Sequence, residues 1–224
     1  MYNQYENTET KYACSIVSLL HILLYRYAIE VTPNFMIRTA IFFDKLWKFD
    51  MYRGATFSVI DDAFVFALNW KLDLKFTIVE NTVTNLQSSN KKTYQLWVKN
   101  YSTYKWNKIK QDWIIQKEDI DYLTKFSWNS GHALNYDWGY LIDTDGSKII
   151  KMSLDVLKYW LEKDIFRDTI RTIEPENKFT KEVCKLTILM FQAEKKNKLL
   201  SFYKKNINNI YLNKAKELYF YGRN

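Results

Sequence analysis

The sequence predicts an α+β fold, on three observations. Helical apolar spacing dominates the first seventy residues, alternating apolar segments follow, and two tight turns link the clearest of those segments. Helices first and antiparallel strands later is the order of an α+β chain rather than of a parallel βαβ chain. With 224 residues and 47% hydrophobic content there is enough apolar surface for one sizeable core.

Residues 14–29 carry apolar side chains at helical spacing with neither glycine nor proline, which predicts a largely buried helix. Val31-Thr32-Pro33 breaks it. Asn34 can cap a second helix to about Phe49, and Thr56 a third to about Trp70. LDLKFTIV at 72–79 alternates and is rich in β-branched residues, so it predicts a strand, and TYQLWVKN at 93–100 predicts another. The polar run 81–92 between them reads as a loop. Residues 117–126 suggest a short helix.

GHALNYDWGYLIDTDGSKIIKMS, 131–153, holds three apolar segments separated by turn residues at Asp137–Gly139 and Asp145–Gly146, the pattern of a β-meander. Centring its first turn between Asp137 and Trp138 predicts that Asp143 lies opposite His132. Ser153 can cap a helix over 153–163. After Pro175, two amphipathic helices are expected near 179–200 and 207–219. The expected division is a main domain at 1–174 and a basic helical extension at 175–224.

Net charge is +8 and the pI about 9.2. Much of the excess lies in the last fifth, in KEVCK, EKKNK, YKKN and NKAKE. A solvated helical face accounts for it, and so does an acidic partner or nucleic acid, with Lys181, Lys185, Lys195, Lys196, Lys198, Lys204 and Lys205 on phosphates. Aromatics reach 17%, but Lys, Asn, Ile, Tyr and Phe all have codons rich in A and T. A low-GC genome, bacterial or viral, accounts for that bias without any function. The aromatics from Trp97 to Trp128, among them Tyr101, Tyr104, Trp106 and Trp113, read as core before they read as a substrate groove.

Two cysteines and two histidines make neither a disulfide framework nor a zinc site, so no cofactor or metal is expected. The acidic start MYNQYENTETKY is no signal peptide, and the longest apolar run, Ile16 to Tyr25, is too short to span a bilayer. The expected setting is a reducing cytoplasm, or a virion for a viral protein, with no membrane partner.

Chemistry centres on Cys14, at the start of the first helix. A helix N-terminus favours a thiolate, yet a small cysteine on a buried helix is also ordinary core. His21 is seven residues on, roughly 10 Å along the axis, too far to serve as its base. It reads as a core histidine. His132, preceded by Ser130–Gly131, is the remaining candidate, and a carboxylate at Asp143 can accept its Nδ1–H and orient the ring.

These residues together resemble a papain-like cysteine peptidase. The family places a cysteine at the start of a central buried helix, Gly/Asn-His-Ala on a later strand, and an orienting Asn before Ser-Trp-Gly on the next. GHALNYDWGYLIDTDG is similar to that text, with Asp143 in the orienting place, Thr144 for the serine and Gly146 for the glycine. Asp in that place occurs in the branch that cleaves bacteriocin leader peptides. Asn3–Gln4 resembles the family's pair ahead of the cysteine, whose glutamine helps form the oxyanion hole.

There are departures. Gln4 precedes Cys14 by ten residues where the family's glutamine precedes its cysteine by about six, so ENTE must loop out. Ser15 stands where the family has Trp, and Asp145 where the second Trp would be. The resemblance covers about a fifth of the chain.

It implies a helical N-terminal part whose central helix packs on an antiparallel sheet, with the helical extension beyond it. It also implies a thiol protease acting on a peptide or protein substrate through Cys14, His132, Asp143 and Gln4. Two other classes stay open: a catalytically inactive papain-fold structural or virion protein, and a nucleic-acid-binding protein.

Overall fold

The computed structural model describes residues 14–31, 72–79, 93–98, 132–137, 139–143, 148–162 and 170–220. In chain order the described elements are α1 (Cys14–Tyr27), β1 (Leu74–Val79), β2 (Tyr94–Val98), β3 (His132–Asp137), β4 (Tyr140–Asp143), β5 (Lys148–Lys151), α2 (Leu154–Glu162), β6 (Ile170–Pro175), α3 (Lys178–Lys195), α4 (Leu199–Lys205) and α5 (Leu212–Phe220). The strands form one sheet in the order β1-β6-β2-β3-β4-β5. β2 pairs antiparallel with β3 and with β6, β3 with β4 and β4 with β5, and the fold is α+β. The helices expected at 34–49, 56–70 and 117–126, and the loop at 81–92, lie outside the described residues. So do Tyr101, Tyr104, Trp106, Trp113 and Trp128.

The chain divides into two compact units, Met1–Leu19 with Thr77–Thr172, and Leu20–Phe76 with Ile173–Asn224. That division differs from a cut at 174/175, because the C-terminal helices group with residues 20–76.

In the first unit, β2 to β5 form an antiparallel run. β3 is buried along nearly its whole length, His132 to Tyr136, and so are Leu141 to Asp143 of β4. A strand enclosed in this way reads as an apolar run, and any polar side chain it carries needs a partner. Gly139 closes the β3–β4 turn at φ 85°, in the left-handed region that glycine enters without steric cost. Ser153 caps α2 as its position predicts: its Oγ accepts from the Val156 N–H at 3.3 Å.

In the second unit, Asn177 caps α3 by accepting from the Thr180 N–H at 2.8 Å, and its amide donates to Asp73. Thr187 Oγ1 donates to the Tyr27 carbonyl at 2.5 Å, and Tyr27 Oη to the Ile173 carbonyl at 2.7 Å. α5 packs on α3, and Tyr219 donates to Glu194 at 2.5 Å.

The C-terminal helices depart from expectation. Three helices replace two, because the segment expected as one helix over 179–200 breaks at Asn197, which turns into the left-handed region at φ 53°. Asparagine enters that region at lower cost than most residues. Before α5, the Asn209 side chain accepts from the Tyr211 N–H at 3.0 Å, a turn that asparagine stabilises. α1 likewise ends two residues short of expectation. Ala28 takes φ 52° and the Ile29 N–H reaches back to the Leu23 carbonyl at 3.1 Å.

Candidate active site

The meander sets the first pair of the site. β3 and β4 pair with Asp137 opposite Tyr140 and Leu134 opposite Asp143. Asp143 therefore faces Leu134, not His132 as the turn count predicts. The pairing is centred one residue further along than expected, and each residue of one strand shifts its partner by two. Because strand side chains repeat every two residues, the shift leaves Asp143 on the same face as His132, in the diagonal position. From there the two meet: His132 Nε2 lies 2.7 Å from Asp143 Oδ1.

The nitrogen differs from the expected Nδ1. An ionised carboxylate only accepts hydrogen bonds, so Nε2 carries the proton of this pair. Both residues are buried.

Cys14 heads α1 and is 9% exposed. Its side chain is close enough to the His132 ring to bear on the ring's charge. With Nε2 engaged by Asp143, Nδ1 is the ring nitrogen left for the sulfur. Burial acts on His132 to lower its pKa. The Asp143 carboxylate opposes this by charge and hydrogen bond, and Cys14 adds to it, so the imidazole is raised to about 9. Asp143 and Cys14 thus both favour the charged ring, against burial.

A second set of residues holds α1 one turn beyond Cys14. Gln95 donates its amide to Ser18 Oγ, and Asn135 donates its amide to the Ser18 carbonyl at 2.7 Å. Arg171 Nε donates to Gln95 Oε1 at 2.6 Å. All four residues are buried. Sequence reasoning missed them. A signal was present, since Gln95 and Asn135 are amides flanked by apolar residues within YQLWV and HALNYD. In an enclosed strand such a residue is tolerated only with a partner.

The four site residues predicted from sequence thus separate. Cys14, His132 and Asp143 are brought together, and Gln4 lies outside the described residues. His21 is fully buried, with its ring edge-on to Tyr25 at 5.9 Å. Among the described residues no cluster of three or more His, Cys, Asp or Glu could hold a metal ion. No helix among them is long and apolar enough to cross a membrane. No family model, curated protein or solved structure matches the chain.

Proposed function

We propose that the chain is a papain-like cysteine peptidase that hydrolyses peptide or isopeptide bonds through Cys14, His132 and Asp143. One observation carries this reading: a buried His132 whose Nε2 is paired with Asp143 at 2.7 Å and whose charge Cys14 also favours. A thiol, a base and an orienting carboxylate in that order is the arrangement that activates a sulfur nucleophile. The antiparallel sheet carrying both the histidine and the carboxylate, and the cysteine at the head of a buried helix, agree with that family's architecture.

In this mechanism the imidazolium stabilises Cys14 as a thiolate. The sulfur attacks the scissile carbonyl carbon, and the oxygen takes up the negative charge. The Cys14 amide and, by the family resemblance, the Gln4 side chain donate to that oxygen. His132 then gives its proton to the leaving amine as the C–N bond breaks, which leaves a thioester. A water loses its proton to His132, attacks the thioester and frees the acid and the thiolate. Asp143 holds the ring and supports its charge throughout.

The test is the pH dependence of Cys14 alkylation by iodoacetamide in a Cys184→Ser background, with His132→Ala as control. Rapid alkylation well below pH 7, lost in the histidine variant, supports the peptidase. Slow alkylation with a midpoint near the ordinary thiol value of about 8.5, indifferent to His132, supports the second reading. That reading is an inactive papain-fold structural or virion-associated protein, and the low exposure of Cys14 favours it. Nucleic-acid binding ranks third, because the basic C-terminal helices are its sole support.

A further inference from the structure

The segment from Lys195 to Lys216 contains seven lysines and neither aspartate nor glutamate. It includes α4, a helix of sequence LLSFYKK that has no buried residue. So short a helix has little stability of its own, and helices in proteins are normally held by a buried apolar face. In α4 and the turn after it, three aliphatic side chains face outward instead, while Leu199, Phe202 and Tyr203 are half-buried. Leu200 is 69% exposed, Ile207 74% and Ile210 82%. Lys195, Lys196, Lys198, Lys204 and Lys205 are exposed around them.

Two properties define what covers such a surface. The charge calls for an anionic occupant. The aliphatic side chains call for one with an apolar interior within reach, which phosphates on a nucleic-acid backbone do not offer. Nucleic-acid surfaces gain from exposed aromatics and from arginine; the segment has no arginine, and its Phe202, Tyr203 and Tyr211 are half-buried. Aliphatic side chains ringed by lysine suit the boundary between headgroups and acyl chains of an anionic bilayer.

We infer that the α4 region is a peripheral docking surface for an anionic lipid membrane, in which Leu200, Ile207 and Ile210 enter the acyl boundary while the surrounding lysines meet the headgroups. This needs no spanning helix. The lack of a span excludes crossing by the described helices, not attachment at the surface. The inference is independent of the peptidase reading.

The experiment is co-sedimentation of the full chain with phosphatidylcholine vesicles, with and without phosphatidylserine. The wild type binds the phosphatidylserine vesicles and not the neutral ones. Leu200→Asn/Ile207→Asn/Ile210→Asn weakens binding by about tenfold or more. Lys196→Gln/Lys198→Gln/Lys204→Gln weakens it by roughly a hundredfold, at about 1 kcal/mol per lysine. All six side chains are exposed, so unchanged thermal melting of both variants verifies that the fold survives. Failure to bind phosphatidylserine vesicles overturns the inference. So does binding that the asparagine variant keeps in full, and so does tight binding of a short RNA that displaces the vesicles.

Discussion

Cys14 and Cys184 are both buried thiols on helices, and their surroundings differ in kind. Cys14 heads α1 beside the His132 ring, whose charge the Asp143 carboxylate sustains. Cys184 lies in the middle of α3, where burial alone acts on it and pushes the thiol up to about 12. Residue type and burial are nearly the same for the two. What differs is whether a buried charge stands next to the sulfur, and that decides whether burial silences a thiol or isolates a reactive one.

The largest expected effect breaks the comparison directly. At pH 7 a thiol titrating near 12 is about one part in a hundred thousand thiolate. Mass spectrometry after brief alkylation at that pH should find the label on Cys14 and essentially none on Cys184. Cys14→Ala should abolish peptide hydrolysis and leave the fold intact, as circular dichroism would show. Labelling of both cysteines at one rate would erase the distinction.

Next comes the carboxylate. Asp143→Ala leaves a buried imidazolium without its charged partner and should cost roughly 3–5 kcal/mol in urea unfolding. Asp143→Asn keeps the shape and removes the charge. The His132 pKa then falls, and Cys14 labelling at pH 6 should slow by on the order of tenfold or more.

The amides under α1 come third. Asn135→Ala leaves the buried Ser18 carbonyl short of a donor, and Ser18→Ala leaves the Gln95 amide without its acceptor. Each should cost about 1–3 kcal/mol. If the amides also place the helix, Cys14 labelling should slow as well, whereas equal loss of stability in the second unit should not affect it.

The pH dependence of stability sharpens the same comparison. The fold raises the His132 pKa from 6.5 to about 9, so the native state keeps a proton that the unfolded chain releases first. Its contribution is complete below about pH 6.5 and is lost as pH rises through 9. In a Cys14→Ala background, where no thiolate is coupled to the ring, urea unfolding between those values should show stability falling by roughly 1 kcal/mol per pH unit at most. His132→Ala should flatten that slope.

The smallest effect is a control in the other unit. Asn177→Ala removes the α3 cap and should cost about 1 kcal/mol, with Cys14 reactivity unchanged.

Much of this was legible locally. Helical spacing located α1 and alternation located β1 and β2. Turn residues located the meander of β3, β4 and β5, and Ser153 marked the start of α2. Cys14, His132 and Asp143 were nameable because short motifs carried them. Their meeting was not derivable residue by residue. The turn register was off by one, and the pairing survived because side chains alternate with period two. The breaks at Asn197 and Ala28 were missed because a single left-handed residue leaves little trace in an apolar pattern.

The sequence by itself determined the α+β class, the buried first helix, the meander and the excess of positive charge, because each depends on neighbours a few residues apart. Only the tertiary structure decided which nitrogen of His132 meets Asp143, that Gln95 and Asn135 converge on Ser18, and that α4 buries none of its residues. Those facts depend on side chains dozens of residues apart and on what is left uncovered. No local period encodes either.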